Sequence, residues 1–337
     1  MRHLAKNKVI GQKRVLEAKK RTIHKVSKND FLTNENIVEI IERRRGTCKI
    51  CIIRSVGGIG DVVMTLPALK ELKTRYPNIE LSYAIDMHTT KHYYEMVKNL
   101  PYIDKVLDAR LVDRRDYHGV CDISSVCIKY EHSQQRPLNR IDIFARAIGL
   151  NKLDQPKPEL LITSDERSWA KHFLAQVCKA GQKIVCLHSA SFEGKRSWPP
   201  HKYIELVDLC TSQNLPIKFL LFDFNNVLPS LKTHSMVVDC SLTNIREMMA
   251  LIEASDYFIG PDSGPMHLAG AIGTKSLVLF GSIPGNARIN HYPSHEALSA
   301  RLPCSPCWYA PCNIGVKCMK DILSATVFAK MKSKLGV

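Results

Sequence analysis

Lys49-Ile50-Cys51-Ile52-Ile53-Arg54-Ser55-Val56-Gly57-Gly58-Ile59-Gly60-Asp61 is the stretch whose reading decides the fold. Ile50 to Ile53 is a short apolar run, the pattern of a strand buried on both faces. Gly57, Gly58 and Gly60 follow, and then Val62, Leu66, Leu69 and Leu72 recur at helical spacing. A buried strand, a glycine loop and an amphipathic helix in this order open a Rossmann-like domain.

Further strands follow at Ile79–Ile85, near 103–107 and near 120–123, then a helix over 139–148. Residues 151–158 have linker composition, so the first domain is placed at 47–152. A second alternating series then runs through strands at 183–187, Ile217–Phe222, 257–259 and Ser276–Phe280, with helices at 203–210, 244–253 and 264–271. Strands alternating with helices imply parallel sheets covered on both faces. The expected fold is therefore α/β, with a second Rossmann-like domain over 153–337 and ligands bound in a cleft between the two sheets' C-terminal edges.

Of the loops at those edges, Gly57, Gly58 and Gly60 let the backbone approach a ligand at a helix start, where negative charge is favoured. Their spacing is neither the G-x-G-x-x-G dinucleotide fingerprint, which argues against a dehydrogenase, nor a phosphate loop ending in Lys. Asp61 stands where a helix N-cap would stand, and on local evidence it reads as a cap. Asp262-Ser263-Gly264-Pro265-Met266-His267 opens the second domain's helix, and the amides of its first turn would seat a diphosphate. Lys195 and Arg196 place two cations beside the same cleft.

The chain has 337 residues, 45% hydrophobic, with no apolar run near the roughly 20 residues that span a bilayer. No signal peptide is recognised at the N-terminus, and a cytoplasmic location is expected. The net charge is +16, and residues 1–28 carry ten Lys or Arg against Glu17 alone. This basic extension, taken as 1–46 with helices at 9–25 and 34–45, fits a polyanionic partner or a solvated arm equally. Of the twelve cysteines, eight sit mostly in apolar runs and read as reduced core residues. Cys304, Cys307, Cys312 and Cys318 form a C-x2-C-x4-C-x5-C array, the spacing of a structural Zn or Fe site with no open position for substrate.

Three stretches taken together resemble glycosyltransferase family 9, the heptosyltransferases of lipopolysaccharide inner core. They are Ile52 through Leu69, His188-Ser189-Ala190-Ser191 running on to Arg196-Ser197-Trp198-Pro199, and Gly260 through Ala269 followed by Leu279-Phe280-Gly281. The resemblance implies a GT-B fold and an inverting transfer without a catalytic metal, consistent with the lack of any D-x-D motif. It implies Asp61 as general base, Arg196 at the donor phosphates, and Asp262, Ser263, Gly264 and His267 as the donor loop. It places an acid for the nucleoside ribose after the strand Ile217–Phe222, where Asp223 stands. The implied donor is an ADP-heptose-like nucleotide sugar. The implied acceptor is anionic lipopolysaccharide core, reached at the inner membrane face by peripheral association. Modified phage DNA bases or protein are the alternative acceptors, and a non-catalytic nucleotide-sugar-binding module is the alternative of another class. Relatives carry a comparable cysteine cluster, read there as an iron site.

Overall fold

A computed structural model describes residues 36–44, 46–88, 91–133 and 138–337. The basic stretch 1–28 and the helix expected over 9–25 lie outside the described residues.

The first half is a four-stranded parallel sheet, β1 (Cys48–Arg54), β2 (Ile79–Ile85), β3 (Lys105–Asp108) and β4 (Gly119–Asp122), in the order β3-β2-β1-β4. Strand β1 is apolar from Ile50 to Ile53 because both its faces are covered there, with Lys49 exposed near its start and Arg54 at its end. Ile50 and Ile52 join the core beneath Leu66 and Leu69. Cys51 and Ile53 pack with Ala84 and Val120 on the other face. Each such isoleucine, fully buried, stabilises the fold by roughly 1.5–3 kcal/mol.

The expected helix at 34–45 is helix α1 (Ile37–Arg43), capped by Asn36 rather than near Thr33. It is no detached appendage: Ile37 and Ile41 are buried in the same core as β1, so the expected extension over 1–46 ends inside the first half's packing. After β1 come α2 (Ile59–Arg75) and, further on, α3 (Lys91–Val97), α4 (Val126–Ser133) and α5 (Arg140–Ala147). Asn139 starts α5 by accepting the Ile141 amide at 2.9 Å, which sets Arg140 as the first helical residue.

The loop after α5 leads to α6 (Ser164–Val177), begun by a Thr163/Glu166 capping box. The second half holds β5 (Lys183–His188), β6 (Ile217–Phe222), β7 (Val237–Asp239), β8 (Tyr257–Pro261), β9 (Ser276–Phe280) and β10 (His295–Ser299). Its parallel order is β10-β9-β8-β5-β6-β7. The helices are α7 (Pro200–Ser212), α8 (Ile245–Glu253), α9 (Gly264–Ile272), α10 (Asn286–Ile289), α11 (Lys317–Lys320) and α12 (Ser324–Leu335). Helix α9 stops at Gly273, whose φ of +100° is the left-handed C-cap conformation.

One apolar cluster crosses the molecule, from Leu66 and Leu69 of α2 through Met266 of α9 to Phe222 and Phe258 of the second sheet. The two sheets thus share a core. No helix among the described residues is long and apolar enough to cross a membrane.

Candidate active site

In each sheet the strand order reverses direction once, between β1 and β4 and between β5 and β8. Crevices at such reversals, outside the strands' C-terminal ends, are where open α/β sheets take ligands. The helices leaving β1 and β8 start there, and their first turns touch. A Cβ on Gly60 would lie 2.3 Å from His267 Cδ2, and one on Gly264 would lie 2.9 Å from Ile59 Cβ. Two helix N-termini brought together concentrate partial positive charge.

Asp61 lies in that junction. It is the third residue of α2, not its N-cap, and its carboxylate accepts the Gly58 amide at 3.2 Å. Arg54 Nη2 lies 3.1 Å from one carboxylate oxygen and Arg140 Nη1 2.5 Å from the other. Gly57 makes room for this: its φ is +122°, and a Cβ there would fall 2.5 Å from the Arg54 guanidinium and 2.6 Å from Asp61 Oδ2. Burial alone would push the Asp61 carboxyl up, but Arg140, Arg54 and the Gly58 amide together hold it well below the usual carboxylate range.

On the other side, Asp262 is buried at the end of β8. Arg196 Nη1 meets its Oδ2 at 3.0 Å, and Arg288 Nε stands 3.8 Å from the same oxygen. Burial opposes ionisation, and these two arginines overcome it, so the Asp262 carboxyl also titrates low. The Ser191 hydroxyl donates to the Asp262 carbonyl at 2.9 Å, tying the loop after β5 to the loop after β8. Arg196 Nε is buried without a hydrogen-bond partner among the described residues, a donor left for a ligand. Ser263 makes no side-chain cap, and its hydroxyl donates to the Pro261 carbonyl at 3.1 Å. His267 is buried with Nδ1 3.0 Å from the Tyr292 hydroxyl. Burial lowers its pKa to about 3 against the pull of Asp262, so the imidazole is neutral and offers a hydrogen bond rather than a charge.

Glu131 joins the two sides. Its side chain is fully buried. It receives Arg140 through Nε at 2.8 Å and Nη2 at 2.7 Å, and Arg288 Nη1 at 2.9 Å. The Tyr309 hydroxyl donates to Glu131 and accepts from Arg140 Nη2 at 2.7 Å. The result is an alternating series, Arg54–Asp61–Arg140–Glu131–Arg288–Asp262–Arg196, running from one half to the other. Glu193 Oε1 stands 3.5 Å from Arg196 Nη2 at its end, and the series sits between two positive helix ends.

Of the residues named from the sequence, Asp61, Arg196, Asp262, Ser263, Gly264 and His267 are brought to one junction by the fold. Sequence reasoning did not single out Arg54, Glu131, Arg140, Arg288 and Tyr309, which the fold sets beside them. Arg54 carried a signal, a charge closing an apolar strand directly before the glycine loop.

Two other expected donor residues have protein partners. Lys195 Nζ donates to the carbonyls of Trp308 at 2.8 Å and Ala310 at 3.3 Å, pinning the cysteine loop. Asp223 is buried, and its carboxylate accepts the Ser189 hydroxyl at 2.6 Å and the amides of Val227 and Leu228 at 3.0 and 2.8 Å. Those bonds brace the loop after β6 around the carboxylate expected to hold a ribose. Among the described residues no three His, Cys, Asp or Glu side chains form a metal-holding group, and the four clustered cysteines are not set as one. Cys318 is buried, Cys304 is exposed, and Cys312 Sγ accepts the Val316 amide at 3.1 Å. They still share one neighbourhood, since burial and then Cys307, Cys312 and Cys304 push the Cys318 thiol up.

The sequence profile described as glycosyltransferase family 9 (heptosyltransferase) matches residues 124–317. The chain belongs to glycosyltransferase family 9. It is a glycosyltransferase, and its two Rossmann-like halves with parallel sheets are the GT-B fold. Lipopolysaccharide heptosyltransferase 1 of Campylobacter coli is 24% identical over 296 residues, 70% of this family 9 chain and 84% of the relative. The structure of E. coli ADP-heptose lipopolysaccharide heptosyltransferase II superposes with a TM-score of 0.63 at 14% identity, covering 85% of this chain and 98% of that one. The iron-containing dodecameric glycosyltransferase TibC of enterotoxigenic E. coli gives 0.64 at 12% identity, covering 87% and 80%. At these identities the structural likeness speaks for the fold, and the site has to be argued from its own residues.

Proposed function

We propose that this transferase moves a heptose-like sugar from an ADP-linked donor to a hydroxyl of lipopolysaccharide core, inverting the anomeric carbon without a catalytic metal. The observation that carries the reading is Asp61 standing opposite the Asp262 loop where α2 meets α9. The Asp61 carboxylate takes the proton of the acceptor hydroxyl. The acceptor oxygen bonds to the anomeric carbon from the face opposite the leaving group. The bond from that carbon to the diphosphate oxygen breaks, and its electron pair leaves with the nucleoside diphosphate. Arg196, Arg288 and the first-turn amides of α9 meet the charge that develops there. Asp262, Ser263 and His267 hold the donor by hydrogen bonds.

The named activity of the Campylobacter relative supports the lipopolysaccharide acceptor, and the positive junction suits an anionic one. The same reading takes residues 47–152 as the acceptor side and 153–337 as the donor side, working at the inner face of the membrane. It takes Cys304, Cys307, Cys312 and Cys318 as ligands of a structural metal, a reading supported by their close spacing in the chain and by the iron named in the TibC structure.

The test is ADP release from ADP-heptose with lipopolysaccharide core, DNA or no acceptor. Core-dependent release is expected, and Asp61→Asn should lower it about 10²–10⁴-fold while ADP binding stays within threefold. Transfer at the wild-type rate in Asp61→Asn would remove the base assignment. Release stimulated by DNA and not by core would replace the acceptor.

A further inference from the structure

In the charge series the proposed base is restrained by its neighbours. A carboxylate paired at 2.5 and 3.1 Å with two guanidiniums is a poor proton acceptor, because protonation would strip both arginines of their partner. Arg140 therefore has to loosen before Asp61 can act. The only other anion within the pairing distance of Arg140 among the described residues is Glu131, and Glu131 is shared with Arg288. Arg288 in turn reaches the donor side at Asp262.

We infer that Glu131 is a positioning residue that passes donor occupancy to Asp61. The inference rests on the reading of Asp61 as base and of the Asp262 loop as donor site. A nucleoside diphosphate arriving beside Asp262 brings at least two negative charges to Arg196 and Arg288. Arg288 turns toward the diphosphate and gives up Glu131. Glu131 then has only Arg140 and the Tyr309 hydroxyl to satisfy its charge, and it draws Arg140 away from Asp61. The carboxylate that was clamped becomes available to the acceptor hydroxyl. In the absence of donor the clamp returns and the base is masked. Buried, low-dielectric surroundings make such exchanges strong: Glu131 is fully buried, and Arg140 and Asp61 are each only 12% exposed.

Glu131→Gln tests this, because the amide keeps the shape but removes the charge and one of the two acceptor oxygens that Arg140, Arg288 and Tyr309 share. Arg288 is freed for the diphosphate, so ADP is expected to bind about 3–10-fold more tightly. Arg140 stays on Asp61, so kcat is expected to fall at least tenfold. Damage to the fold would instead weaken ADP binding and kcat together. Adding Arg140→Gln to Glu131→Gln should restore a large part of kcat by unmasking Asp61. Glu131→Asp keeps the charge if the neutral variant does not fold, and it should retain more kcat than Glu131→Gln with ADP binding no weaker than wild type. The inference is overturned if Glu131→Gln leaves kcat within twofold, if its loss tracks weaker ADP binding, or if the double variant shows no recovery. If Asp61→Asn itself leaves transfer intact, the base assignment has failed instead, and the two failures are distinct.

Discussion

Gly60 and His267 stand so close that a Cβ on the glycine would lie 2.3 Å from the imidazole Cδ2. The helix that carries Asp61 and the helix that opens the donor loop can meet only because position 60 has no side chain. The histidine cannot swing away, being buried and bonded to Tyr292.

Gly60→Ala should therefore force the two helix starts apart. Overpacking of this kind costs about 1–3 kcal/mol of stability. A displacement near 1 Å between reacting groups costs up to about 10²-fold in rate. Transfer is expected to fall by at least tenfold, with ADP binding changed much less, in kinetics and calorimetric titration of the variant. Wild-type kinetics in Gly60→Ala would show that the junction is not where catalysis occurs.

Stability should decline as the solution becomes acidic. His188 and His267 are buried and His295 is half-buried, and desolvation lowers each pKa, to about 3 for His267 and about 4 for His295. Unfolded histidine protonates near pH 6.5. Between that pH and the folded values the unfolded chain binds more protons, so each such histidine removes about 1.4 kcal/mol per pH unit as pH falls. Thermal melts from pH 8 to 5 should show this loss starting near pH 6.5. His295→Gln, which lies on an edge strand away from Asp61, should reduce the slope, and an unchanged slope would contradict the assignment.

Asp223→Asn separates a bracing role from a ribose-binding one. The carboxylate holds the Ser189 hydroxyl and the amides of Val227 and Leu228. Leaving buried donors poorly satisfied costs about 1–3 kcal/mol. Urea unfolding should register that loss, with ADP affinity within threefold of wild type. Intact stability with weakened ADP binding would return Asp223 to the donor site.

The cysteine loop makes a further test. Purified protein should carry about one Zn or Fe per chain, and Cys304→Ser combined with Cys307→Ser should abolish it. Removing the metal should lower the melting temperature, since a structural site contributes folding energy. ADP binding should survive, because Arg196 and the α9 amides do not depend on it. Protein that melts alike with and without chelator would leave the array without a metal role.

The fold was legible because its signals are local. The runs Ile79–Ile85, Ile217–Phe222 and Ser276–Phe280 are strands with those bounds, and each is apolar because a parallel sheet covers both faces. Short or half-polar elements escaped. β7 and β10 are edge strands, and α4 and α6 have weak apolar faces, so periodicity gives little signal. The partners of Asp223 escaped for a related reason: a carboxylate after a strand looks free until the amides that meet it are seen.

The amino-acid sequence by itself determined the succession of strands, glycine loops and helices, and with it the sites of Asp61 and Asp262 at the starts of two helices. It did so through hydrophobic period and backbone freedom, which act between near neighbours in the chain. Only the tertiary structure decided that Arg140, 79 residues from Asp61, clamps it, and that Arg288, 157 residues from Glu131, shares that carboxylate. Such pairings depend on how the two halves are set against each other. Once buried, a charge accepts whatever opposite partner the packing brings within reach, and no local pattern records which one that is.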